Sequence, residues 1–145
     1  MMQDMTDVRI NKYEVPEGVS EYHAIIRVTN PRLTYREQVD AVLAAYADLM
    51  EGDLKGANAV FKRFFLSDAA NQADYLQALH AERSDCPLSV IEQAPLDGTK
   101  IAMWVYAQTG VQTKTLSHGI YEVKHGDYRH LWMAGACNQA LNSEY

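Results

Sequence analysis

The sequence predicts an α+β fold, a mixed β-sheet with two helices packed on one face. Three observations support this prediction. Two strand-like segments open the chain, two amphipathic helical segments follow, and a strand rich in valine and phenylalanine separates the helices. Two further strands and a hairpin complete the order. With 145 residues, 48% of them hydrophobic, the chain is long enough for one domain with a core and too short for two complete ones.

A hairpin and a helix are predicted in the first third of the chain. Residues 8–15 and 21–29 are strand-like, and a Pro-Glu-Gly turn separates them. Thr34 and Glu37 have the S/T-x-x-E spacing of a capping box, which predicts a helix that starts there. Apolar residues recur at intervals of three and four up to Gly52, so one face of this helix is expected to be buried and Gly52 to end it.

The middle of the chain predicts a central strand and a second helix. Residues 59–66 are rich in valine and phenylalanine, and their two cations, Lys62 and Arg63, are expected to reach solvent or an interface. Ser67 and Asp68 are both good N-caps, and the apolar spacing after them predicts a helix that reaches about residue 82.

Four more strands are predicted in the last part of the chain. Residues 88–93 and 101–107 are strand-like, and the Asp97-Gly98 dipeptide between them is typical of a tight hairpin turn. Residues 120–124 and 128–134 form a second predicted hairpin. The large apolar side chains expected on the sheet face without helices would be covered by self-association; they are Phe64, Phe65, Trp104 and Tyr106.

Composition and charge exclude several classes of function. The net charge of -6 with scattered lysines and arginines argues against a nucleic-acid partner. No apolar run approaches the roughly 18 residues of a membrane span, and no export signal opens the chain, so a cytoplasmic protein is expected. Cys86 and Cys137 fit no zinc spacing or disulfide framework. The five histidines lack metal-ligand spacing, so neither a metal nor another cofactor is expected.

Two stretches match known family motifs. Residues 65–68, FLSD, match a strand motif of the type "vvkttvFLsD". Further matches to the motifs "aRsxVEVaxLP" and "kIEIeaiA" are Ser89, Ile91, Glu92, Ala94, Leu96, Lys100, Ile101 and Ala107. On these residues the chain resembles the RidA family, also called the YjgF or endoribonuclease L-PSP family. The resemblance implies a chorismate-mutase-like fold, trimers whose sheets face a central barrel, and clefts between subunits that hold small carboxylic acids.

The resemblance also implies what this chain has lost. Leu88 stands where the family has the arginine that binds the substrate carboxylate, and Ala102 and Trp104 stand at two acidic positions. Glu92 matches a family glutamate and is a weak candidate for an acid or base, although a paired structural charge is the commoner role of such a residue. Ser89 has no activating base nearby in sequence. The implied cleft residues are Tyr22, Thr29, Tyr75, Cys86, Leu88, Ser89 and Trp104.

These departures favour a catalytically degenerate RidA-like domain. We expect it to oligomerise, as a trimer or as half of a tandem pseudo-oligomer, or to bind a small apolar or weakly polar metabolite. The alternative is a 2-imino or enamine acid deaminase in which Arg27, Arg83 or Lys100 replaces the missing arginine. Ribonuclease activity, also attached to the family, fits the acidic chain least.

Two interpretations of the C-terminal region stay open. Residues 1–118 are predicted to form the RidA-like domain, and residues 119–145 a C-terminal hairpin. This hairpin either extends the sheet or opens a second, truncated copy of the domain. The second interpretation depends on the likeness of Tyr128 and His130 to Tyr22 and His23 at the start of the early strand.

Overall fold

The computed structural model describes residues 5–15, 18–80, 86–117 and 120–133. It confirms an α+β architecture with a mixed sheet, here of five strands, and two helices, and it adds a second, antiparallel sheet of three strands that was not predicted. The elements in chain order are β1 (Thr6–Val15), β2 (Val19–Val28), α1 (Tyr35–Glu51), β3 (Asn58–Leu66), α2 (Ala69–His80), β4 (Leu88–Glu92), β5 (Ile101–Gln108), β6 (Gln112–Ser117), β7 (Ile120–His125) and β8 (Tyr128–Met133). The strand orders are β1-β2-β5-β3-β4 and β6-β7-β8.

The connection between β4 and β5 differs from the predicted hairpin. β4 pairs in parallel with β3, and β5 pairs antiparallel with the other edge of β3, so β3 lies between them. The Asp97-Gly98 turn does form: Gly98 has φ +84°, and Asp97 accepts hydrogen bonds from the Thr99 amide and hydroxyl. The hairpin prediction was wrong because a local turn does not determine which strands pair. The predicted β1-β2 hairpin is confirmed.

The start of α1 follows from its predicted cap, and α2 begins directly after Asp68, one of the two predicted cap residues. The Thr34 hydroxyl accepts a hydrogen bond from the Glu37 amide at 3.2 Å, and the Glu37 carboxylate accepts one from the Thr34 amide at 3.0 Å, which completes the capping box. α1 ends before Gly52, as predicted. The carbonyl of Asp68 accepts hydrogen bonds from two amides of the first turn of α2. The predicted end of α2 near residue 82 lies outside the described residues.

The main core lies between the helices and one face of the five-stranded sheet. Gln38 of α1 is wholly buried there; its amide donates a hydrogen bond to the Leu33 carbonyl and accepts one from the Lys100 amide, both at 2.8 Å. Lys62 is only 1% exposed, and its Nζ lies 4.6 Å from the ring centroid of Tyr46. The expectation that Lys62 reaches solvent or an interface was wrong, because its aliphatic stem packs under α1 and its ammonium lies over an aromatic ring.

The second sheet covers part of the face opposite the helices. Trp132 of β8 packs at ring-centroid distances of 5.8 Å from Phe61 and 5.6 Å from Tyr106, and Val123 joins this smaller core. The Asn58 amide donates a hydrogen bond to the Val111 carbonyl at 2.9 Å, which ties the start of β6 to β3. The sequence predicted that another subunit covers Tyr106. In the structure, the second sheet of the same chain covers it. Phe64 was assigned to the wrong face, since it is fully buried against the helices.

The C-terminal hairpin is confirmed, but its pairing with a third strand was not predicted. His125 pairs with Tyr128 across a two-residue turn in which Gly126 has φ +54°. β7 also pairs with β6, so the hairpin belongs to a separate sheet and does not extend the larger one. Whether it opens a second copy stays a prediction, since residues 134–145 lie outside the described residues. Neither described helix is long and apolar enough to span a membrane.

Candidate functional site

We call the face of the five-stranded sheet opposite the helices the outer face. Because strand side chains alternate, cross-strand partners form rows on this face. One row is Arg9, Ile25, Trp104, Arg63 and Ser89; the next is Asp7, Arg27, Ala102, Phe65 and Ile91. β6, β7 and β8 cover the neighbouring row, which contains Phe61 and Tyr106. The second row lies outside this covered area, next to the loop that follows β4.

An open groove of about 430 Å³ lies over the second row. Ile25, Arg27, Phe65 and Ala102 line it from three strands, and residues 93–97 line it from the loop between β4 and β5. This loop stands beside the sheet because β4 and β5 do not pair and the chain must pass the end of β3. The groove is mainly apolar, and its charged lining residues are Arg27 and Asp97.

Both of these charges are already hydrogen-bonded. Arg27 Nη2 donates to Asp7 Oδ2 at 2.9 Å, and this bond is the main cause that lowers the pKa of Asp7. The Thr99 hydroxyl donates to Asp97 Oδ1 at 2.6 Å, and this bond is the main cause that lowers the pKa of Asp97. Both carboxyls are therefore held in the ionised, hydrogen-bonded form, which does not suit a general acid.

An aromatic cluster borders the groove. The ring of His23 stacks on Tyr106 at 4.8 Å and on Trp104 at 5.8 Å between centroids. Burial and the neighbouring Glu21 raise the pKa of Tyr106 to about 12, so its hydroxyl stays protonated at neutral pH. That hydroxyl accepts a hydrogen bond from Gln108 Nε2 at 2.7 Å. The cluster therefore offers flat apolar surface and no ionised phenol.

Arg63 lies on β3 in the outer-face row that contains Trp104. Its guanidinium carbon is 5.4 Å from the ring centroid of Phe61 and 5.9 Å from that of Trp104. Its Nε is buried and has no hydrogen-bond partner among the described residues. Its cross-strand neighbour on β4 is Ser89. Arg63 is thus a cation between aromatic rings, in contrast to Arg27, which has a carboxylate partner.

The residues predicted to line one cleft are divided between the two faces of the sheet. Tyr22, Tyr75 and Leu88 pack against the helix-side core, and Cys86 is buried in it. Trp104 and Ser89 lie on the outer face, and Thr29 is exposed just after β2. Leu88 is the cross-strand partner of buried Lys62, so the predicted arginine position points away from the groove. A shared cleft for all seven residues stays a prediction.

The candidates for chemistry have structural partners. Glu92 Oε1 accepts a hydrogen bond from the Ala69 amide at 3.0 Å, where a carboxylate stabilises the N-terminus of α2. Of the substitute cations, Arg27 lines the groove, Lys100 donates its backbone amide to Gln38, and Arg83 lies outside the described residues. Within the part of the chain that the structure describes, no group of three or more histidine, cysteine or acidic side chains could hold a metal ion.

The groove could not be identified from the sequence. Ile25, Phe65 and Ala102 come from three distant segments, and only the strand order brings them together. An arginine within an apolar strand is a recognisable signal of a functional role. From the sequence, however, Arg63 was interpreted only as a charge that must reach solvent or an interface. Comparison with known protein families and with curated proteins finds no family model and no curated protein that matches this chain.

Proposed function

We propose that this chain is a RidA-like domain that binds a small, largely apolar metabolite in the outer-face groove and does not hydrolyse imines. The observation that carries the proposal is the groove of about 430 Å³, whose walls are mainly apolar and whose two charges are internally hydrogen-bonded. Sites for small molecules are commonly of about 300–1,000 Å³, with apolar walls and a few polar groups that orient the ligand. Gln93 and Arg27 are the orienting groups available here.

The RidA-like part of the proposal is supported by the architecture. A mixed five-stranded sheet with two helices on one face agrees with the arrangement that the motif resemblance implies. The trimer implied by the same resemblance is also a proposal. Because β6, β7 and β8 cover Phe61 and Tyr106, such an assembly would have to use other surface of the chain.

A titration with indole, an uncharged aromatic probe, tests the binding function. Ala102 is a floor residue of the groove, so Ala102→Leu should fill it and weaken indole binding by about tenfold or more. Ala44→Leu is the matched control, since Ala44 lines a different pocket, of about 270 Å³, between β1 and α1. Equal indole affinity in the two variants would rule out the groove as the binding site.

One observation favours a second candidate, the deaminase with a substitute cation. Arg27 is one of the cations expected to replace the missing arginine, and it lines the groove. It also forms an ion pair with Asp7. Ammonia release from freshly generated 2-aminoacrylate separates the candidates. We expect the folded protein to release none above the uncatalysed rate. Turnover that Arg27→Gln abolishes would support the deaminase and contradict the binding function.

A further inference from the structure

We propose that Arg63 forms a binding site for a compact oxyanion, the carboxylate or phosphate group of a small ligand, between Phe61 and Trp104 on the outer face. The site is separate from the groove, because Arg63 is not one of the groove's lining residues. It therefore does not depend on what the groove binds.

The guanidinium of Arg63 has a buried donor without a partner among the described residues. Arg63 Nε is the sole buried side-chain nitrogen or oxygen atom without a hydrogen-bond partner among the described residues. A buried donor is normally paired, and each unpaired one calls for an explanation such as a bound ion or water. Arg63 as a whole is half-buried, so its charge is only partly hydrated, and a counter-charge at this position would stabilise it.

Arg63 differs from the other described arginines of the strands. Arg9 and Arg27 both pair with Asp7, and Arg129 pairs with Glu122 at 2.8 Å. No described acidic side chain forms an ion pair with Arg63. The chain carries a net charge of -6, so carboxylates are abundant, yet none is placed at this cation. A ligand can supply the missing negative charge.

The surroundings of Arg63 leave room for an acceptor. The rings of Phe61 and Trp104 lie at cation-π distance from its guanidinium carbon, and its N–H groups remain for an acceptor. These donors form a planar fork that matches two oxygens of a carboxylate or phosphate. Ser89, the cross-strand neighbour on the same face, adds a hydroxyl next to this position. Arg63 as a whole is half-buried, so a ligand can approach from solvent, and the two rings shield part of the contact.

The test is a titration of the whole chain followed by NMR of the arginine Nε–H groups. The probes are sodium acetate and inorganic phosphate, with sodium chloride at matched ionic strength. We expect the chemical shift of the Arg63 Nε–H resonance to change and to saturate with acetate, phosphate or both. The anion that saturates at the lower concentration shows which oxyanion the site prefers. The Arg9 Nε–H resonance, from the same row but with its side chain 74% exposed, should show only the chloride-like drift.

Two variants complete the experiment. Arg63→Lys keeps a positive charge but loses the Nε–H and the fork, so saturable binding should weaken by about ten- to hundredfold. Arg9→Lys is the matched control and should bind like the wild type. If Arg63→Lys does not fold, the wild-type titration alone decides. An Arg63 resonance that responds equally to chloride, or to no anion, overturns the proposal; so does equal binding by the two variants.

Discussion

Replacing Trp132 by alanine should uncover the outer face without unfolding the five-stranded sheet. Trp132 packs its ring on Phe61 and Tyr106, two aromatic contacts through which β8 covers the sheet. Each such contact contributes about 0.5–1.5 kcal/mol beyond the buried area, and a fully buried tryptophan contributes about 3–5 kcal/mol against alanine. Since Trp132 is only partly buried, we expect Trp132→Ala to cost about 3 kcal/mol.

Amide hydrogen exchange measures the loss of stability caused by Trp132→Ala separately for each strand and helix. A loss of about 3 kcal/mol in the docking of β6, β7 and β8 should speed the exchange of their amides by about a hundredfold and leave α1 and β5 protected. The matched control is Leu131→Ala, since Leu131 is the neighbour of Trp132 on the other face of β8 and is 53% exposed. This control should change stability by at most about 0.5 kcal/mol. Equal effects of the two variants, or equal loss of protection in both sheets, would contradict the role of Trp132 in holding β6, β7 and β8 on the larger sheet.

Three further predictions concern the core and the loop. Gln38→Ala should lower the free energy of unfolding by about 2–4 kcal/mol in urea denaturation, because it leaves a backbone amide and a carbonyl without their partner. Leu88→Arg should destabilise the fold by about 2 kcal/mol or more in the same assay, since it places a second cation next to buried Lys62; an unchanged midpoint would contradict this placement. Asp97 has a pKa lowered by the Thr99 hydroxyl, so its stabilisation is present above about pH 4 and is lost as the pH falls further. Asp97→Asn should therefore destabilise the protein less at pH 3 than at pH 6, and an equal effect at both pH values would argue against the bond.

Features determined within a few residues were predicted well. The capping box at Thr34 and Glu37 is a contact across three positions, so it can be identified from the sequence. The Asp97-Gly98 turn was likewise predicted, but the pairing of the strands around it was not. Strand pairing depends on contacts between distant segments, in this case on the insertion of β3 between β4 and β5.

Other features could not be predicted, because the order of polar and apolar residues either gave no indication of them or indicated a different structure. β6 is exposed along its length and has no apolar alternation, so nothing in QTKTLS predicts a strand that pairs with β7. Lys62 is a charged residue that the fold buries, and its contact with Tyr46 depends on how α1 lies on the sheet. The groove residues Ile25, Phe65 and Ala102 become neighbours only through the register of three strands.

A crystal structure of the protein soaked with indole shows directly whether the outer face holds the binding site. We expect density for the ring between Phe65 and the loop of residues 93–97, in contact with Ala102. Density on the helix side instead, next to Leu88 and Tyr75, would contradict it and favour the cleft that the motif resemblance implies.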